Sequence, residues 1–271
     1  MTDADFSVLI SVYSKENSEY LRLALNSIWE DQTLKPKEIV LVKDGPLNDD
    51  LEKVISDFGQ KAPLTVLKLQ NNSGLGISLA EGLKLCSCNL VARMDSDDIS
   101  KPDRFEKQVK FMSEHPEIGV LGTFIAEFVT TVDNIVSYRI LPLEYLDIKR
   151  FAKKRNPLNH MTVMFRKKVV LTAGNYISFY GYEDYYLWVR LLIQNVTIVN
   201  LPSALVYARI NNIYNKRRGC KLFAIEFKLQ RKFLSLGFTN KLNFVHNFIF
   251  RALPRLLPVE GLKIVYKFLR N

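Results

Sequence analysis

The chain has 271 residues, of which 48% are hydrophobic and 24% are charged, and these proportions of an ordinary globular protein exclude a disordered chain. No apolar run reaches the roughly 18 residues of a membrane span, and the N-terminus lacks the basic start of a secretory signal. The formal net charge of +10 is concentrated in residues 216–271, which contain 13 Lys and Arg against two acidic residues. A nearly neutral body therefore precedes a basic segment.

The three cysteines do not support a disulfide framework. Cys86 and Cys88 form a C-x-C pair that is too close to bridge easily, and Cys220 is left over. This cysteine pattern is typical of proteins in the reducing cytosol. Because the three histidines are scattered as well, a Cys/His zinc site is not expected.

Apolar runs of strand length alternate with stretches of helical spacing through the first third of the chain. The predicted strands are "FSVLISVY" (6–13), "EIVLVKDG" (38–45), "LTVLKL" (64–69) and "NLVARMD" (89–95). This alternation predicts βαβ units, and therefore an α/β fold whose mainly parallel central sheet is buried on both faces. Ligands of such sheets bind beyond the carboxyl ends of the strands. Tyr13–Glu16, Asp44 and Asp95–Asp98 are expected along that edge.

The second part of the chain has a less regular pattern. A hairpin is predicted from "GVLGTFIAEFV" and "NIVSYRI", and "YEDYYLWVRLLIQ" (182–194) predicts a helix with acids in its first turn. We predict an α/β domain over residues 1–212. Residues 213–271 are predicted to form a basic amphipathic helical extension.

Asp95, Asp97 and Asp98 place three carboxylates within four positions after the fourth predicted strand. In extended chain, residues i and i+2 share a face, so Asp95 and Asp97 are expected to converge while Asp98 turns away. Two converging carboxylates suit Mg²⁺ or Mn²⁺, which retain waters and complete their shell with substrate phosphates. The segment therefore favours a metal ion shared with a nucleotide.

Other interpretations of these loops have less support. A calcium loop from Asp95 to Glu106 is disfavoured because Ser100 stands where glycine is required. The aspartates also fit a cap for the helix that follows, although one carboxylate suffices for a cap. The segment "NNSGLGIS" (71–78) lies between a strand and a helix, but Leu79 occupies the third glycine position of the dinucleotide-binding fingerprint.

Five ordered motifs resemble those of family 2 glycosyltransferases of the GT-A fold. They are "FSVLISVY", "EIVLVKDG", "NNSGLGISLAEGL", "LVARMDSDDISKPDRFEKQ" and "GYEDYYLWVRL". The resemblance covers about residues 6–210, and the fourth motif is similar to the subgroup that builds bacterial exopolysaccharide, capsule and O-antigen repeat units. It implies a GT-A fold and inverting transfer of a hexose from a nucleotide diphosphate donor, usually a UDP-sugar, to an acceptor hydroxyl. It also implies that residues 1–212 divide into a donor-binding half at about 1–100 and an acceptor half at about 101–212.

The resemblance also implies roles for residues of the nucleotide-sugar site. Tyr13 and Glu16 resemble residues that contact the base after the first strand, and Asp44 matches the acid that recognises uracil. Asn72 and Arg93, which lie in two of the quoted motifs, are assigned to the same nucleotide-sugar site.

The remaining roles concern the metal ion and the acceptor. Asp95 would hold the ribose and metal side, and Asp97 would coordinate Mn²⁺ or Mg²⁺ bridging the diphosphate. Asp184 matches the catalytic base, with Glu183 beside it to position the base or the acceptor. Two further residues are assigned by resemblance: His160 to the acceptor side and Arg209 to the phosphate side.

The basic extension suggests a membrane surface as a partner. "KLFAIEFKLQRKFLSL" and "GLKIVYKFLR" set Phe, Leu and Ile against Lys and Arg at helical spacing. Each such cation near anionic lipid contributes about 1 kcal/mol. We therefore expect a lipid-linked saccharide acceptor and a cytoplasmic protein held peripherally on the inner face of the cell membrane. The helices also fit simple packing on the main domain, and a nucleic-acid partner is not expected because no binding motif of that class occurs.

Two other function classes are considered. A metal-dependent nucleotidyltransferase shares a nucleotide-binding α/β core, but it normally has a glycine-rich loop with Arg or Lys after the first strand, which "SVYSKENSEY" lacks. A non-catalytic sugar-nucleotide-binding or membrane scaffold stays open if Asp184 lies far from the donor site.

Overall fold

The computed structural model describes residues 5–210 and 219–258. Its strands are β1 (Phe6–Val12), β2 (Glu38–Lys43), β3 (Leu64–Lys68), β4 (Leu90–Met94), β5 (Ile99–Ser100), β6 (Ile118–Phe128), β7 (Ile135–Arg139), β8 (Met164–Arg166) and β9 (Thr197–Arg209). Its α-helices are α1 (Ser18–Ser27), α2 (Asp49–Gly59), α3 (Leu75–Leu85), α4 (Arg104–Glu114), α5 (Tyr145–Phe151), α6 (Lys167–Thr172), α7 (Glu183–Ile193), α8 (Cys220–Ser235) and α9 (Lys241–Asn247). Short turns of other helix types cover His160–Thr162, Phe248–Ala252 and Leu253–Leu256. The predicted βαβ alternation of the first part is confirmed.

All nine strands belong to one sheet, in the order β3-β2-β1-β4-β8-β6-β9-β5, with β7 paired to β6. The first four strands are parallel, as predicted. The later part is mixed, because β8 pairs antiparallel with both β4 and β6, while β9 runs parallel to β6. The predicted hairpin is β6 and β7, which pair antiparallel. The sheet therefore has a parallel half followed by a mixed half, and the α/β fold class is confirmed.

The parallel half is buried on both faces, which explains its unbroken apolar runs. Val8, Leu9 and Ile10 of β1 are 0% exposed although their side chains alternate between the two faces. Burying each such side chain contributes about 1.5–3 kcal/mol relative to exposure. On one face α3 packs closely, since a Cβ at Gly82 would lie 2.6 Å from Leu9 and from Val42. Helices α1 and α2 pack on the opposite face, in the cluster that contains Val8 and Ile10.

The chain divides into two compact units. The first comprises residues up to Lys149 together with Asn156–Arg209 and contains the sheet. The second comprises Arg150–Arg155 and the residues from Ile210 onward, where the structure describes α8 and α9. The amphipathic segment beginning at Lys221 is helical as predicted, whereas "GLKIVYKFLR" lies outside the described residues. Within the described ranges, no helix is both long and apolar enough to cross a membrane.

The helical unit contains a buried ionic network centred on Glu226, which is 0% exposed. Its Oε1 accepts a hydrogen bond from Arg251 Nε at 2.9 Å, and its Oε2 accepts one from Arg255 Nη2 at 2.9 Å. Gln230 Nε2 also donates to Oε1 at 2.9 Å, and Asn247 Nδ2 donates to Gln230 Oε1 at 2.8 Å. Two of the basic side chains counted in the sequence therefore pair with one buried carboxylate inside the helical unit.

We expect Glu226→Ala to destabilise the helical unit by about 3–5 kcal/mol, because removing one partner leaves buried guanidinium groups without their compensating charge. Urea unfolding followed by circular dichroism measures the loss. The exposed Glu114→Ala change serves as the control and should stay within about 0.5 kcal/mol of the parent protein. A Glu226→Ala protein as stable as that control would contradict a structural role for the network.

Candidate active site

The carboxyl ends of β1, β2 and β4 meet at one edge of the sheet. Strand β1 lies between β2 and β4 and is parallel to both, with Val12 opposite Lys43. The amide of Asp44 donates to the Val12 carbonyl at 2.8 Å. The residues that follow these strands are neighbours, as predicted: Tyr13, Asp44 and Asp95.

Asp44 holds the loop between β3 and α3. Its Oδ1 accepts a hydrogen bond from the Ser73 amide at 2.6 Å, and its Oδ2 accepts one from the Gly74 amide at 3.0 Å. The Asn72 side chain donates to the Asp44 carbonyl at 3.3 Å. Gly45 has a φ of 87°, and a Cβ there would lie 2.7 Å from the Asn72 nitrogen, so only glycine fits. Asp44 and Asn72 are thus held in one ordered loop, while their nucleotide contacts stay a prediction.

Asp95, Asp97 and Asp98 form one acidic cluster, in which a carboxylate oxygen from each residue lies within 4.8 Å of the other two. The expectation that Asp98 turns away is wrong. Strand β4 ends at Met94 and residues 96–97 form a turn, so the alternation of extended chain does not apply there. The cluster offers three hard oxygen donors, which fit a divalent cation.

The acidic cluster resists full ionisation at neutral pH. Burial raises the pKa of Asp97 to about 7, and the negative charges of Asp95 and Glu16 add to this rise. Burial, with the charges of Asp95 and Asp97, also raises the pKa of Asp98 well above its usual value. A bound cation would remove this repulsion, so the electrostatics of the residues present agree with a metal site.

Two buried arginines lie against the cluster. Arg93 is 1% exposed and forms an ion pair with Asp95. Its carbonyl accepts a hydrogen bond from Arg104 Nη2 at 2.7 Å, and Arg104 Nε donates to Gln108 Oε1 at 3.0 Å. Burial lowers the pKa of Arg104 to about 9, and the charge of Arg93 acts in the same direction. The end of β4 is therefore anchored from inside the protein.

Glu16 and Tyr13 flank the acidic loop. Glu16 Oε2 accepts a hydrogen bond from Ser96 Oγ at 2.8 Å, and its Oε1 accepts one from the Asn17 amide at 2.9 Å. Tyr13 is 41% exposed, and its partial burial, together with Glu16 and Asp97, raises the pKa of its hydroxyl. Both residues assigned to the base lie beside the acidic cluster, and their contact with a base stays a prediction.

Arg209 connects the end of β9 to the acidic loop. Its amide donates to Asp98 Oδ1 at 2.8 Å, and its Nε donates to the Asp97 carbonyl at 3.2 Å. Its guanidinium carbon lies 3.8 Å from the ring centre of Tyr20 and 4.5 Å from that of Phe128. These cation–π contacts hold the guanidinium beside the cluster. The assignment of Arg209 to the phosphate side is compatible with this position and stays a prediction.

Glu183 begins α7 in a buried position, with 6% of its surface exposed. Burial raises the pKa of its carboxyl, and hydrogen bonds from the backbone amides around Gly181 and Tyr182 oppose the rise. A Cβ at Gly76 of α3 would lie 2.7 Å from Glu183 Cγ, so α3 and α7 approach closely there. These contacts favour a positioning role for Glu183.

Asp184 is partly buried and accepts a hydrogen bond from Asn156 Nδ2 at 2.6 Å. Burial raises the pKa of Asp184, while the Asn156 hydrogen bond and the charges of Arg139 and Arg93 oppose the rise. A carboxylate of raised pKa that is both oriented and partly accessible has the properties of a general base. Its catalytic role stays a prediction.

Arg93 joins the acidic cluster to Asp184. Its charge lowers the pKa values of Asp97, Asp98, Asp184 and His160. One guanidinium affects all of them because all lie close to it. The acidic cluster and Asp184 therefore both lie within electrostatic range of Arg93. His160 belongs to the same region, with its Nε2 3.0 Å from the Tyr176 hydroxyl.

Sequence reasoning missed three residues of this region: Asn156, Tyr176 and Arg104. Asn156 stands in "RNPLNH" immediately before the buried residues 157–159, so a polar residue at that point of the motif was the available signal. Tyr176 was one of many tyrosines with no distinctive spacing. Arg104 lies in "PDRFEKQ", where only its place on the buried face of α4, four residues before Gln108, could have indicated an internal role.

Comparison with known proteins identifies the class. The sequence model of glycosyl transferase family 2 matches residues 7–171. This chain belongs to glycosyl transferase family 2. This membership removes the nucleotidyltransferase alternative.

Curated relatives match nearly the whole chain. An uncharacterized glycosyltransferase of Haemophilus influenzae is 45% identical over 98% of this chain and 99% of its own. The amylovoran biosynthesis glycosyltransferase AmsE of Erwinia amylovora is 42% identical over 97% and 98%. The UDP-Gal:alpha-D-GlcNAc-diphosphoundecaprenol beta-1,3-galactosyltransferase of Escherichia coli is 34% identical over 97% and 95%. The resemblance to the exopolysaccharide and O-antigen group is confirmed.

Solved structures confirm the GT-A fold. S. aureus TarS 1–349 in complex with UDP-GlcNAc superimposes with a TM-score of 0.65 at 20% identity, over 93% of this chain and 72% of that chain. This chain spans 43% of the longer TarS chain. The mannosyltransferase PcManGT from Pyrobaculum calidifontis, in complex with GDP-Man and Mn²⁺, has a TM-score of 0.67 at 14% identity, over 97% and 75%. At these identities the likeness shows the fold alone.

Proposed function

We propose that this family 2 enzyme is an inverting, metal-dependent glycosyltransferase that moves a hexose from a UDP-sugar to a hydroxyl of a lipid-linked oligosaccharide. The observation that carries the proposal is the cluster of three carboxylates that follows β4, together with the buried, hydrogen-bonded carboxylate of Asp184 at the start of α7. The relatives support the substrate classes, since the E. coli relative is named for UDP-Gal and an acceptor on diphosphoundecaprenol. The reaction would serve cell-surface polysaccharide synthesis.

The donor half of the site lies at the edge formed by β1, β2 and β4. Tyr13 and Glu16 would contact the base, and Asp44 would accept a hydrogen bond from uracil while it holds the loop that contains Asn72. This ordered loop reduces the entropy cost of binding. Arg93 would keep Asp95 oriented towards the ribose and the diphosphate.

The metal-binding residues would be Asp95 and Asp97, with Asp98 as a third carboxylate of the same cluster. When bound, Mn²⁺ or Mg²⁺ would neutralise charge that develops on the departing diphosphate. Arg209 and Arg104 hold the loop and the strand end that carry these carboxylates. These carboxylate oxygens suit a hard cation that keeps free coordination positions for the diphosphate oxygens.

Asp184 would remove the proton from the acceptor hydroxyl. Asn156 orients its carboxylate, and burial raises its pKa towards the range in which a base is effective. Attack from the side opposite the departing diphosphate inverts the anomeric centre. Glu183 would position the start of α7 rather than exchange a proton.

A panel of UDP-sugars, tested with and without Mn²⁺, checks the proposal. We expect one or a few UDP-sugars to raise the melting temperature in a Mn²⁺-dependent manner and to be transferred to a lipid-linked acceptor. Analysis of the product by NMR gives the anomeric configuration. Transfer at full rate in the presence of EDTA would contradict metal dependence, and a product with retained configuration would contradict inversion.

The helical unit supports a proposed peripheral association with an anionic membrane surface. Apolar side chains repeat at helical spacing from α9 onward and are exposed, from 80% at Leu242 to 38% at Leu257. They are Leu242, Val245, Ile249, Phe250, Leu253, Leu256 and Leu257. Exposed basic residues lie on α8 and at the start of α9: Lys221, Lys228, Arg231, Lys232 and Lys241. This combination fits a membrane interface that contains anionic lipid.

We expect the triple change Leu242→Ser, Ile249→Ser and Phe250→Ser to lower the affinity for anionic vesicles by about tenfold or more. The reason is that the variant buries less apolar surface in the membrane interface when it binds. Co-sedimentation with vesicles containing phosphatidylglycerol measures the effect. Leu85→Ser, which changes a 46% exposed leucine of α3, is the matched control. Equal binding of the triple variant and the control would remove this surface from the proposal.

A further inference from the structure

His160 and Tyr176 form a hydrogen-bonded pair beside both acidic sites. His160 Nε2 lies 3.0 Å from the Tyr176 hydroxyl, and the imidazole meets the Trp188 ring edge-on with centroids 6.0 Å apart. Tyr176 is 4% exposed and Trp188 is 0% exposed, whereas His160 is only partly buried. His160 is therefore the most exposed of these three residues.

The backbone around Tyr176 is held in place from two helices. Asn175 adopts a φ of 61°, a left-handed conformation in which its Nδ2 donates to the Ala80 carbonyl of α3 at 2.9 Å. Arg190 of α7 donates to the Ala173 and Asn175 carbonyls. The Tyr176 hydroxyl is thus placed by contacts that do not depend on His160.

The His160 backbone is held independently. Asn159 Nδ2 donates to the Thr123 carbonyl of β6 at 2.8 Å, and the Thr162 hydroxyl donates to the Asn159 carbonyl at 2.8 Å. Gln108 Nε2 donates to the Thr162 carbonyl at 2.9 Å. The backbone that carries the imidazole is therefore fixed, and the contacts with Tyr176 and Trp188 hold the ring itself. Because Nε2 pairs with Tyr176, Nδ1 is the ring nitrogen that stays available for a further hydrogen bond.

Burial and a nearby positive charge favour the neutral form of the His160 imidazole. Burial lowers the pKa of His160 well below its usual value, and the positive charge of Arg93 acts in the same direction. The carbonyl of Val163, three residues after His160, accepts a hydrogen bond from the Arg93 amide at 2.9 Å, so the His160 segment lies against the end of β4 that carries Arg93. A neutral imidazole offers one donor and one acceptor and no positive charge for a phosphate.

We propose that His160 makes a direct hydrogen bond to a hydroxyl group of a sugar ring at the reaction centre, with Tyr176 as the positioning residue that orients the imidazole. This inference rests on the proposed function and adds a specificity determinant to it. The hydroxyl belongs either to the hexose of the donor or to the terminal sugar of the acceptor. A site built to bond a hydroxyl discriminates against sugars that lack it or carry it in the other configuration, because a buried polar group is then left unpaired.

Four variants test the inference in the same transfer assay: His160→Leu, His160→Gln, Tyr176→Phe and the control His115→Leu, which changes a partly exposed histidine after α4. We expect His160→Leu to lower kcat/KM by about 10- to 100-fold and to weaken discrimination between epimeric sugars. His160→Gln should recover about tenfold, since an amide restores a neutral hydrogen bond. Tyr176→Phe should lower kcat/KM by about threefold to tenfold and weaken discrimination in the same direction. His115→Leu should match the parent protein.

Separate measurements distinguish the two sources of the hydroxyl. If it belongs to the donor, His160→Leu raises KM for the UDP-sugar and slows hydrolysis of the donor in the absence of acceptor. If it belongs to the acceptor, the acceptor KM rises while donor hydrolysis is unchanged. In both cases Mn²⁺-dependent binding of UDP alone is expected to stay within twofold of the parent protein, which excludes misfolding and a phosphate-binding role.

Two results would overturn the inference: unchanged kcat/KM and epimer discrimination in His160→Leu, or a parallel loss of UDP binding in His160→Leu and His160→Gln. The parent protein reports on the proposed function by itself. Sugar transfer by the parent together with unaffected His160 variants removes only the inference. A parent protein that transfers no UDP-sugar removes the proposed function on which the inference rests.

Discussion

The Asp184→Asn enzyme is expected to bind its sugar nucleotide with unchanged affinity and to lose turnover by about 10²- to 10⁴-fold. Asparagine keeps the shape of the side chain and can still pair with Asn156, but it cannot accept the proton of the acceptor hydroxyl. Initial-rate kinetics with a lipid-linked acceptor measure the loss, and calorimetry with the UDP-sugar measures binding. For the parent enzyme, kcat should rise with pH through the raised pKa of Asp184, because only the ionised carboxylate acts as the base.

The matched control for this change is Asp57→Asn, which alters an exposed acid of α2. It should leave both turnover and donor binding unchanged. Glu183→Gln provides a second comparison, since a positioning role predicts lower thermal stability with a smaller loss of turnover than Asp184→Asn. Turnover of Asp184→Asn at the parent rate would show that another group takes the proton.

The Asp97→Ala protein is expected to lose Mn²⁺-dependent donor binding, with a loss of about 3 kcal/mol or about a hundredfold in affinity. The metal-free protein should nevertheless become more stable, because the change removes one of three carboxylates that repel each other. The pKa of Asp97 is raised to about 7. The folded protein therefore holds this proton more tightly than the unfolded chain, and without metal the contribution to stability falls as pH rises towards 7.

Mn²⁺ reverses this behaviour in the parent protein. Protons and metal compete for Asp97, so stabilisation by Mn²⁺ should grow between about pH 6 and pH 8. Melting curves with and without Mn²⁺ measure both effects. Asp103→Ala is the control, because Asp103 pairs with Lys107 and lies outside the acidic cluster. An Asp97→Ala protein that keeps the full Mn²⁺ response would place the metal elsewhere.

The fold was predictable where it depends on local pattern. Continuous apolar runs such as Val8–Ile10, bounded by turn residues, indicate strands buried on both faces. The positions of Asp44 and Asp95 at the ends of the two strands that flank β1 followed from the same pattern. The pairing of β8 between β4 and β6 was not predictable, because a three-residue strand has too few side chains to show a period.

The candidate site was less predictable than the fold because its details depend on contacts between distant parts of the chain. Asp98 lies beside Asp95 and Asp97 because residues 96–97 form a turn, which the spacing of the residues did not predict. Asn156 meets Asp184 across 28 positions of sequence. Arg104 supports the end of β4 from the inside of α4, where a charged side chain is not expected. Each of these depends on tertiary packing.

The guanidinium shared by the two acidic sites constrains how this enzyme can vary. Substitutions at Asp95 and Asp184 should not have additive effects, since each changes the field at Arg93 that the other carboxylate experiences. Replacement of Arg93 would remove the ion-pair partner of Asp95 and one of the charges that oppose the raised pKa of Asp184, so a single change would disturb both carboxylates.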